Sequence, residues 1–352
     1  MSETVQRAAE LGPPPNGPVP ASGPGLRLRR AAVLAAQQRE VTVLVVVVFL
    51  VVYFGFISTT GRSTFFTSVN IINIGQIAAP IIIIAIGEVL LLICGEIDLS
   101  PGFVYLFAPF LMHYLIDLYG FPVIPAILIT LAMGLAVGWI NGFLTVTLGL
   151  PSFVATLGTG FVLLGITLTT SNATQASIPT AAVGIGKWIG SDSYAEIIWA
   201  LVLVAIFHVV LVRTRWGLHT VAVGGNQLGA REAGINVARI KYGSFMITAV
   251  LGAFVGLQQA FQTSVIDPSS GGYQPMFYAV AAAVIGGTAM LGGSGTIIGA
   301  FLGSMMLAVL TDGFNVIGIS AYPLQFIFGG AILVAMIANV QLARMRATGR
   351  RR

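Results

Sequence analysis

Long apolar runs, separated by short polar segments, make up most of the chain between residues 41 and 340. A helix that crosses a bilayer needs about 20 predominantly apolar residues. Runs suited to this role lie near residues 41–58, 71–94, 102–118, 122–147, 151–170, 195–212, 243–262, 275–291, 294–312 and 322–340. The pattern predicts an all-α polytopic membrane protein with about ten transmembrane helices. The fifth, eighth and ninth runs are short or polar, so a half-span or re-entrant segment fits them equally well.

The composition agrees with a chain that faces lipid. Of the 352 residues, 56% are hydrophobic and 8% are charged, whereas a soluble globular protein has about 25% charged residues. So few charges cannot cover a water-facing surface. Residues 1–40 include a segment rich in Pro and Gly, followed by arginines, and we expect a disordered basic tail there. A transmembrane domain at 41–340 and a second basic tail at 341–352 complete the predicted organisation.

The basic residues are clustered, and their placement tests the helix count. Positive charge collects on cytoplasmic loops. Three groups of five residues lie before the first run, between the sixth and seventh, and after the tenth: Arg7, Arg27, Arg29, Arg30 and Arg39; Arg213, Arg215, Arg231, Arg239 and Lys241; Arg344, Arg346, Arg350, Arg351 and Arg352. With ten spans, all three groups lie on one side and Arg62 and Lys187 on the other. We therefore expect a cell (inner) membrane protein with both termini in the cytoplasm.

The longest predicted cytoplasmic connection, residues 213–241, contains the signals of a short helix. Asn226 can cap its N-terminus. Gly234 suits a left-handed C-terminal position, and Ile235 follows as an apolar contact. We expect the stretch before Gly224 to be extended. Because a helix of two turns is not stable alone in water, it must dock either on its own bundle or on a partner.

Acidic residues near the second run are candidates for a role in transport. An Asp at the centre of a membrane helix costs about 2.5–3.5 kcal/mol, so Glu88 should face the bundle interior or a wet cavity, or be protonated. Glu96 and Asp98 follow at the predicted cytoplasmic end of that helix. Either Asp98 or Ser100 could cap the next helix, and Pro101 suits its first turn. The functional alternative is a hinge or gate beside a translocation path.

Uncharged amides form a second set of candidates. Asn70, Asn73 and Gln76 are spaced by three and share one face of the second helix. Asn141 lies within the fourth run, and Gln258 belongs to a polar patch at the outer end of the seventh. Amides in a bilayer need hydrogen-bond partners, which are either neighbouring helices or the hydroxyl groups of a sugar in transit.

Other polar features point away from catalysis. The glycine-rich residues 286–295 lack the Gly-Lys-Ser/Thr ending of a phosphate loop, and we interpret them as a helix interruption similar to 95–102, which would reflect an internal repeat. The scattered His113, His208 and His219 do not have metal-ligand spacing. Asp312, at the outer end of the ninth run, is predicted to be solvated. We expect no metal and no cofactor to be bound by this chain.

Several short motifs resemble one family. Residues 222–241, with the pattern A-V-G-G-N-Q-x-x-A-x-x-A-G-I-N-V-x-x-x-K, resemble the cytoplasmic loop of sugar-type ABC importer permeases, the ribose/xylose group. Residues 95–100 look like that family's G-x-I-D-L-S-V-G box, with Pro101 where valine is usual. Similar boxes follow as Asn-Gly-Phe-Leu at 141–144, Pro-Ser-Phe-Val-Ala-Thr-Leu-Gly at 151–158 and Gly-Gly-Thr-Ala-Met-Leu-Gly-Gly-Ser-Gly-Thr at 286–296. They occur in family order across residues 70–340.

The resemblance implies a type II ABC importer-like permease fold and a non-catalytic permease subunit that imports a monosaccharide or related polyol. It implies a cytoplasmic ATP-binding subunit that holds ATP and Mg, an extracytoplasmic substrate-binding protein, and a second permease copy or paralogue. The short helix becomes a coupling helix seated in a groove of the ATPase, with candidate residues Asn226, Gln227, Ala230, Arg231, Glu232, Gly234 and Ile235. Candidates for the substrate path or gate are Asn70, Asn73, Gln76, Glu88, Glu96, Asp98, Asn141 and Gln258.

Two alternatives stay open at this point. An ion-coupled secondary transporter would use Glu88, Glu96 and Asp98 as its coupling carboxylates, but it would have no need for a docked helix in the cytoplasmic loop. An ABC permease for branched-chain amino acids or nucleosides would keep the same machinery and change only the cargo.

Overall fold

A computed structural model describes residues 39–57, 64–269 and 273–318, together with positions 326, 329, 330, 333, 334 and 337. Its α-helices are α1 (Arg39–Val52), α2 (Ser68–Ile93), α3 (Pro101–His113), α4 (Val123–Gly142), α5 (Ser152–Ser171), α6 (Val183–Gly186), α7 (Ala195–Arg213), α8 (Arg215–Gly225), α9 (Gln227–Glu232), α10 (Val237–Thr263), α11 (Tyr273–Ile285) and α12 (Ile297–Val316). Single π-helical turns follow α1, α3, α4 and α6 at Tyr53–Ile57, Tyr114–Leu118, Phe143–Thr147 and Lys187–Ser191, and a 3₁₀ turn, Thr180–Ala182, precedes α6.

Within the described residues, seven helices are long and apolar enough to cross a membrane. They are α2, α5, α7, α10 and α12, together with α3 and α4, each of these two counted with the π-helical turn that follows it. The protein is therefore a multi-pass helical membrane protein. The predicted fifth and ninth spans are full-length helices, α5 and α12. The eighth is the 13-residue helix α11, and α1 is also short. The tenth span, 322–340, lies largely outside the described residues, so the count of ten stays a prediction.

Helix α2 lies at the centre of the bundle. Of its most apolar segment 83% is buried, compared with 28% for α5 and α7. It packs against α7, α10, α11 and α12. A helix that is apolar on all sides is expected in such an interior position, and residues 81–93 of α2 are all buried. The more exposed apolar surfaces of α5 and α7 are suited to contact lipid.

Small residues bring α4 and α10 together. Gly134, Gly138 and Gly142 recur every four residues along α4. A Cβ atom at Gly134 would lie 3.1 Å from the Ala249 carbonyl oxygen, and one at Gly138 would lie 2.5 Å from the Phe245 carbonyl oxygen. Such glycine stripes allow close helix packing in a bilayer. This packing holds the start of α10 beside the end of α4.

The connections gather at two ends of the bundle. The loop end carries residues 94–100, 214–236 and 286–296, which contact one another. The strand end carries β1 (Ala176–Ser177) and β2 (Val265–Ile266), which pair antiparallel with Ala176 opposite Ile266. All segments that the charge pattern assigns to the cytoplasm, so far as they are described beyond α1, lie at the loop end.

Candidate functional site

The stretch before Gly224 forms a helix, α8, and the prediction of an extended segment was wrong. Thr214 caps α8 by accepting a hydrogen bond from Gly217 N at 3.3 Å. Thr220 and Val223 are buried, and Trp216 packs against the same side. Glycine and β-branched residues have low helix propensity. Packing of this face on the bundle stabilises the helix, which local propensity alone does not reveal.

Helix α9 has the N-terminal cap and the C-terminal glycine that the sequence predicted. Asn226 Oδ1 accepts from Gly229 N at 2.9 Å. Gly234 has a φ of +79°. Gly234 N donates to Arg231 O and Ile235 N to Ala230 O, each at 2.9 Å, which is the Schellman pattern of helix termination. The sequence prediction of a short, doubly capped helix is confirmed.

One side of α9 docks on its own bundle, and the other faces solvent. Ala230 is buried in a small apolar cluster with Cys94, Val223, Val237 and Ile240. The opposite side exposes Asn226, Gln227, Leu228, Arg231 and Glu232. Leu228 is 68% exposed, and the sequence prediction overlooked it. Its apolar character among the polar residues of α9 was the available signal.

Residues 94–100, which we call the first break, are fixed to α5. Ile97 N donates to Ser152 Oγ at 3.2 Å, and Leu99 N donates to Thr156 Oγ1 at 3.0 Å. These hydroxyl groups satisfy backbone donors that have no helical partner, as a buried interruption requires. The break is therefore held in a defined conformation against its neighbour.

Asp98 stabilises the first break itself. Its Oδ1 accepts from Ser100 N at 2.7 Å, which forms a turn just before α3. Ser100 occupies the N-cap position without a side-chain cap bond, and Pro101 begins the helix as predicted. Ser100 is thus the N-cap residue, as one of the two expectations had it, but neither Asp98 nor Ser100 caps α3 through a side-chain hydrogen bond. The carboxylate bonds two residues ahead, which places its turn one step before the helix.

Asn141 connects α4 to this break. Its Nδ2 donates to Ser100 Oγ at 2.7 Å and lies 3.4 Å from both oxygens of Asp98. Its Oδ1 accepts from Thr159 Oγ1 at 2.7 Å. Asp98, Ser100 and Asn141 are all fully buried. Of the two alternatives for this amide, contact with neighbouring helices is the one present in the structure.

Glu96 and Lys241 form an ion pair between the first break and α10, with Nζ 2.5 Å from Oε1. Their side chains are only 14% and 11% exposed, respectively. The charge pattern places Lys241 in the middle group of five basic residues that set the predicted orientation, and this residue does lie at the loop end. Its burial and its carboxylate partner could not be deduced from the chain alone, because the two residues are 145 positions apart.

Three backbone segments meet at the loop end. Gly293 N donates to Ile93 O at 2.9 Å, which joins residues 286–296, the second break, to the end of α2. Gly224, near the end of α8, lies against both, and a Cβ atom there would overlap the Ile93 carbonyl oxygen. Gly292 and Gly293 have φ values of +88° and +83°, which favour glycine. The predicted helix interruption is confirmed, and it contacts the first break directly.

Among the described residues, two buried carboxyl groups have oxygens without a hydrogen-bond partner. Glu88 is fully buried in α2, and neither of its oxygens has a hydrogen-bond partner in the described part of the chain. This agrees with the prediction that it faces the bundle interior. Glu196, in the first turn of α7, is 2% exposed, and its Oε2 also has no partner among the described residues. The sequence prediction omitted Glu196, although an acidic residue at the start of an apolar run was a visible signal.

At the strand end, Asp312 is 1% exposed and not solvated as predicted. Its Oδ2 accepts from Asn70 at 2.7 Å and its Oδ1 from Asn73 at 2.8 Å. The two amides replace the water that the carboxylate would otherwise bind. Gln76 donates instead to Ser193 O at 3.3 Å. The predicted amide face thus exists, but its members have different partners.

The same amides border an open cavity of about 550 Å³ at the strand end. Its polar lining includes Thr64, Asn70, Asn73, Gln76 and Ser193. Amide and hydroxyl groups can both donate to and accept from a polyhydroxylated solute. The cavity is large enough for a small ligand by the usual range of such sites.

Gln258 lies apart from both the residues of the first break and the amides around Asp312. It is 2% exposed and donates to Ile189 O at 3.1 Å, so it holds a connecting turn in place. Nearby, Gln175 Nε2 donates to Asp267 at 2.9 Å across the strand pair. Hydrogen bonds from the hydroxyl and backbone of Ser269 lower the pKa of Asp267. Of the predicted polar patch, Gln258 is therefore a buried anchor, and the exposed pair Gln175–Asp267, which we call the clamp, is a separate feature of this end.

These features define a multi-pass helical membrane protein in which the connection that contains α8 and α9 packs against two interruptions of the bundle. The chain belongs to the family of branched-chain amino acid transport system permease components, whose model matches residues 70–337. This confirms the permease resemblance of the sequence motifs.

The chain is similar to the xylose/arabinose import permease of Sulfolobus acidocaldarius, with 38% identity over 80% of this chain and 81% of the relative. A probable ABC transporter permease of Sinorhizobium fredii is 33% identical over 90% of this chain and 93% of its own. The ribose import permease of Escherichia coli K12 is 29% identical over 82% and 91%. No solved structure matches the chain significantly.

Proposed function

We propose that this chain is the permease subunit of an ATP-binding cassette importer for a monosaccharide or related polyol. Similarity to xylose/arabinose and ribose import permeases supports the cargo class. The geometry of α9 is the observation that supports coupling to an ATPase. A six-residue helix, capped at both ends and docked by Ala230, presents a polar face with an exposed Leu228 to solvent.

In the proposed complex, this face of α9 fits a groove on a cytoplasmic ATPase subunit that holds ATP and Mg. Asn226, Gln227, Arg231 and Glu232 provide polar contacts at the rim, and Leu228 inserts as the apolar anchor. Such a pattern of an apolar anchor within a polar rim is typical of protein interfaces. Ala230, Gly234 and Ile235 act by holding the helix in place.

The proposed topology is ten helices with both termini in the cytoplasm, arranged as in type II importers. The loop end is then cytoplasmic and the strand end faces outward. An extracytoplasmic binding protein delivers the solute to the strand end, and a second permease copy or paralogue completes the transmembrane pathway. The chain itself needs no catalytic group, because ATP hydrolysis belongs to its partner.

The proposed solute path begins at the strand-end cavity with Asn70, Asn73 and Gln76. It ends near the loop end, where Glu96, Asp98 and Asn141 fix the first break as the inner gate, below Glu88 in the central helix. Gln258 contributes by anchoring the outer connection. A weakly polar path of this kind suits a permease whose binding protein provides specificity.

Reconstitution tests this proposal. Permease and cognate ATPase in liposomes, with the binding protein outside and ATP inside, should accumulate labelled xylose, arabinose or ribose. The substitution Leu228→Ala should reduce ATPase co-purification, whereas Val209→Ala, at a similarly exposed apolar position of α7, should not. Equal co-purification from both variants would contradict the assignment of α9.

One observation favours an ion-coupled secondary transporter as the second candidate. Glu88 is a fully buried carboxyl group without a hydrogen-bond partner in the described residues, and such groups occur in proton relays. Uptake driven by a pH gradient without ATP, and lost in Glu88→Gln, would establish this alternative. The docked α9 has no role in it.

A further inference from the structure

The ion pair between Glu96 and Lys241 lies between the two parts of the molecule that transport must connect. Glu96 belongs to the first break, and Lys241 is in the second turn of α10, directly after the loop that contains α9. We infer that this pair is the positioning link that transmits movement of α9 to the first break. The inference rests on the proposed function, since it assumes that α9 receives force from an ATPase.

The anchoring of the first break explains why such a link is needed. Ile97, Asp98 and Leu99 are hydrogen-bonded toward α4 and α5 through Asn141, Ser152 and Thr156. These contacts hold the break on one side. Glu96 extends to the other side, toward α10, and its ion pair with Lys241 is the polar contact that joins the break to the helix following the loop, beside the apolar contact of Cys94 with Val237 and Ile240.

Lys241 is placed to follow movements of α9. Ala230 of α9 packs with Val237 and Ile240 of α10 in one apolar cluster. Ile240 directly precedes Lys241, and its backbone lies in the same helical turn. A displacement of α9 therefore moves the first turns of α10 and, with them, the ammonium group that holds Glu96.

Burial makes the pair suited to this role. Both side chains are largely shielded from water, so their attraction is stronger and less screened by salt than that of a surface pair. Removal of one partner leaves a buried charge uncompensated. The loop end is thus expected to change its conformation when either partner is neutralised, while the remote helices keep their packing.

Variants of the reconstituted complex test the inference. Glu96→Gln and Lys241→Met should lower the number of solute molecules imported per ATP hydrolysed at least tenfold, while the ATPase still co-purifies. The exchanged double variant, Glu96→Lys with Lys241→Glu, and the charge-preserving Lys241→Arg should each recover at least a third of the wild-type ratio. Arg239→Met, an exposed residue of the same helix, is the matched control and should stay within twofold.

The outcomes separate this inference from the proposed function. Wild-type complex without ATP-driven uptake would overturn the proposed function itself. Normal wild-type uptake with unchanged ratios in Glu96→Gln and Lys241→Met would overturn the link alone. Loss of ATPase co-purification in the single variants, without recovery by the exchanged pair or by Lys241→Arg, would assign the pair a purely structural role and would also overturn the link.

Discussion

Gly293 donates its backbone N–H to the carbonyl oxygen of Ile93 at 2.9 Å. This bond joins the second break to the end of the central helix, immediately before the first break. Gly224 of α8 lies against the same two backbones. The loop that carries the proposed coupling helix therefore contacts the second break and the end of α2 through main-chain atoms, where a side chain has no space.

Gly224→Ala should destabilise the loop end, whereas Gly225→Ala should not. A Cβ atom at Gly224 would overlap the carbonyl oxygen of Ile93, but one at Gly225 would meet no atom within 4 Å. Overpacking of this kind costs about 1–3 kcal/mol. Thermal unfolding of the detergent-purified variants should show a lower melting temperature for Gly224→Ala alone. Equal melting temperatures would contradict the observed contact.

Gly234→Pro should abolish coupling to the ATPase while membrane insertion stays normal. Proline fixes φ near −65°, whereas Gly234 has a φ of +79° and donates its N–H to Arg231. Gly234→Ala keeps the N–H donor and should cost only about 1–2 kcal/mol, the penalty for a left-handed non-glycine residue. Solute-stimulated ATP hydrolysis by the reconstituted complex measures the effect. Unchanged stimulation in the proline variant would count against the role of α9.

Local signals allowed α9 to be predicted, because a capping asparagine and a left-handed glycine act within a few residues of themselves. The apolar runs predicted α5 and α12 for the same reason. By contrast, the burial of Asp312 and Lys241 depends on partners more than 140 positions away. No local pattern encodes those distances. Helix α8 was missed because packing, and not propensity, stabilises it.

Asp312→Ala should destabilise the strand end of the bundle. The substitution removes the carboxylate that accepts a hydrogen bond from each of Asn70 and Asn73, and the net loss of a hydrogen bond costs about 0.5–1.5 kcal/mol. Asp192→Ala is a suitable control, since Asp192 is exposed and caps only a local turn through Tyr194 N. A melting temperature that falls no further in Asp312→Ala than in the control would refute the stabilising role of the Asp312 cluster.

The hydrogen bonds around Asp267 should weaken only under strongly acidic conditions. Hydrogen bonds from Ser269 lower the pKa of this carboxyl group below its ordinary value of 3.8. A lowered folded-state pKa stabilises the clamp above pH 3.8, and the stabilisation is lost as the pH falls through the lowered value. Hydrogen exchange at Ser269 N should therefore be constant from pH 7 to pH 5 after correction for intrinsic rates. A loss of protection within that range would contradict the assignment.

The energy source for uptake tests the central claim most directly. Liposomes that contain the permease and its cognate ATPase, supplied with the binding protein outside, can be given either internal ATP or a pH gradient. We predict accumulation of labelled pentose only with ATP, and none with a non-hydrolysable analogue. Accumulation driven by the pH gradient without ATP would contradict the account and identify the protein as a secondary transporter.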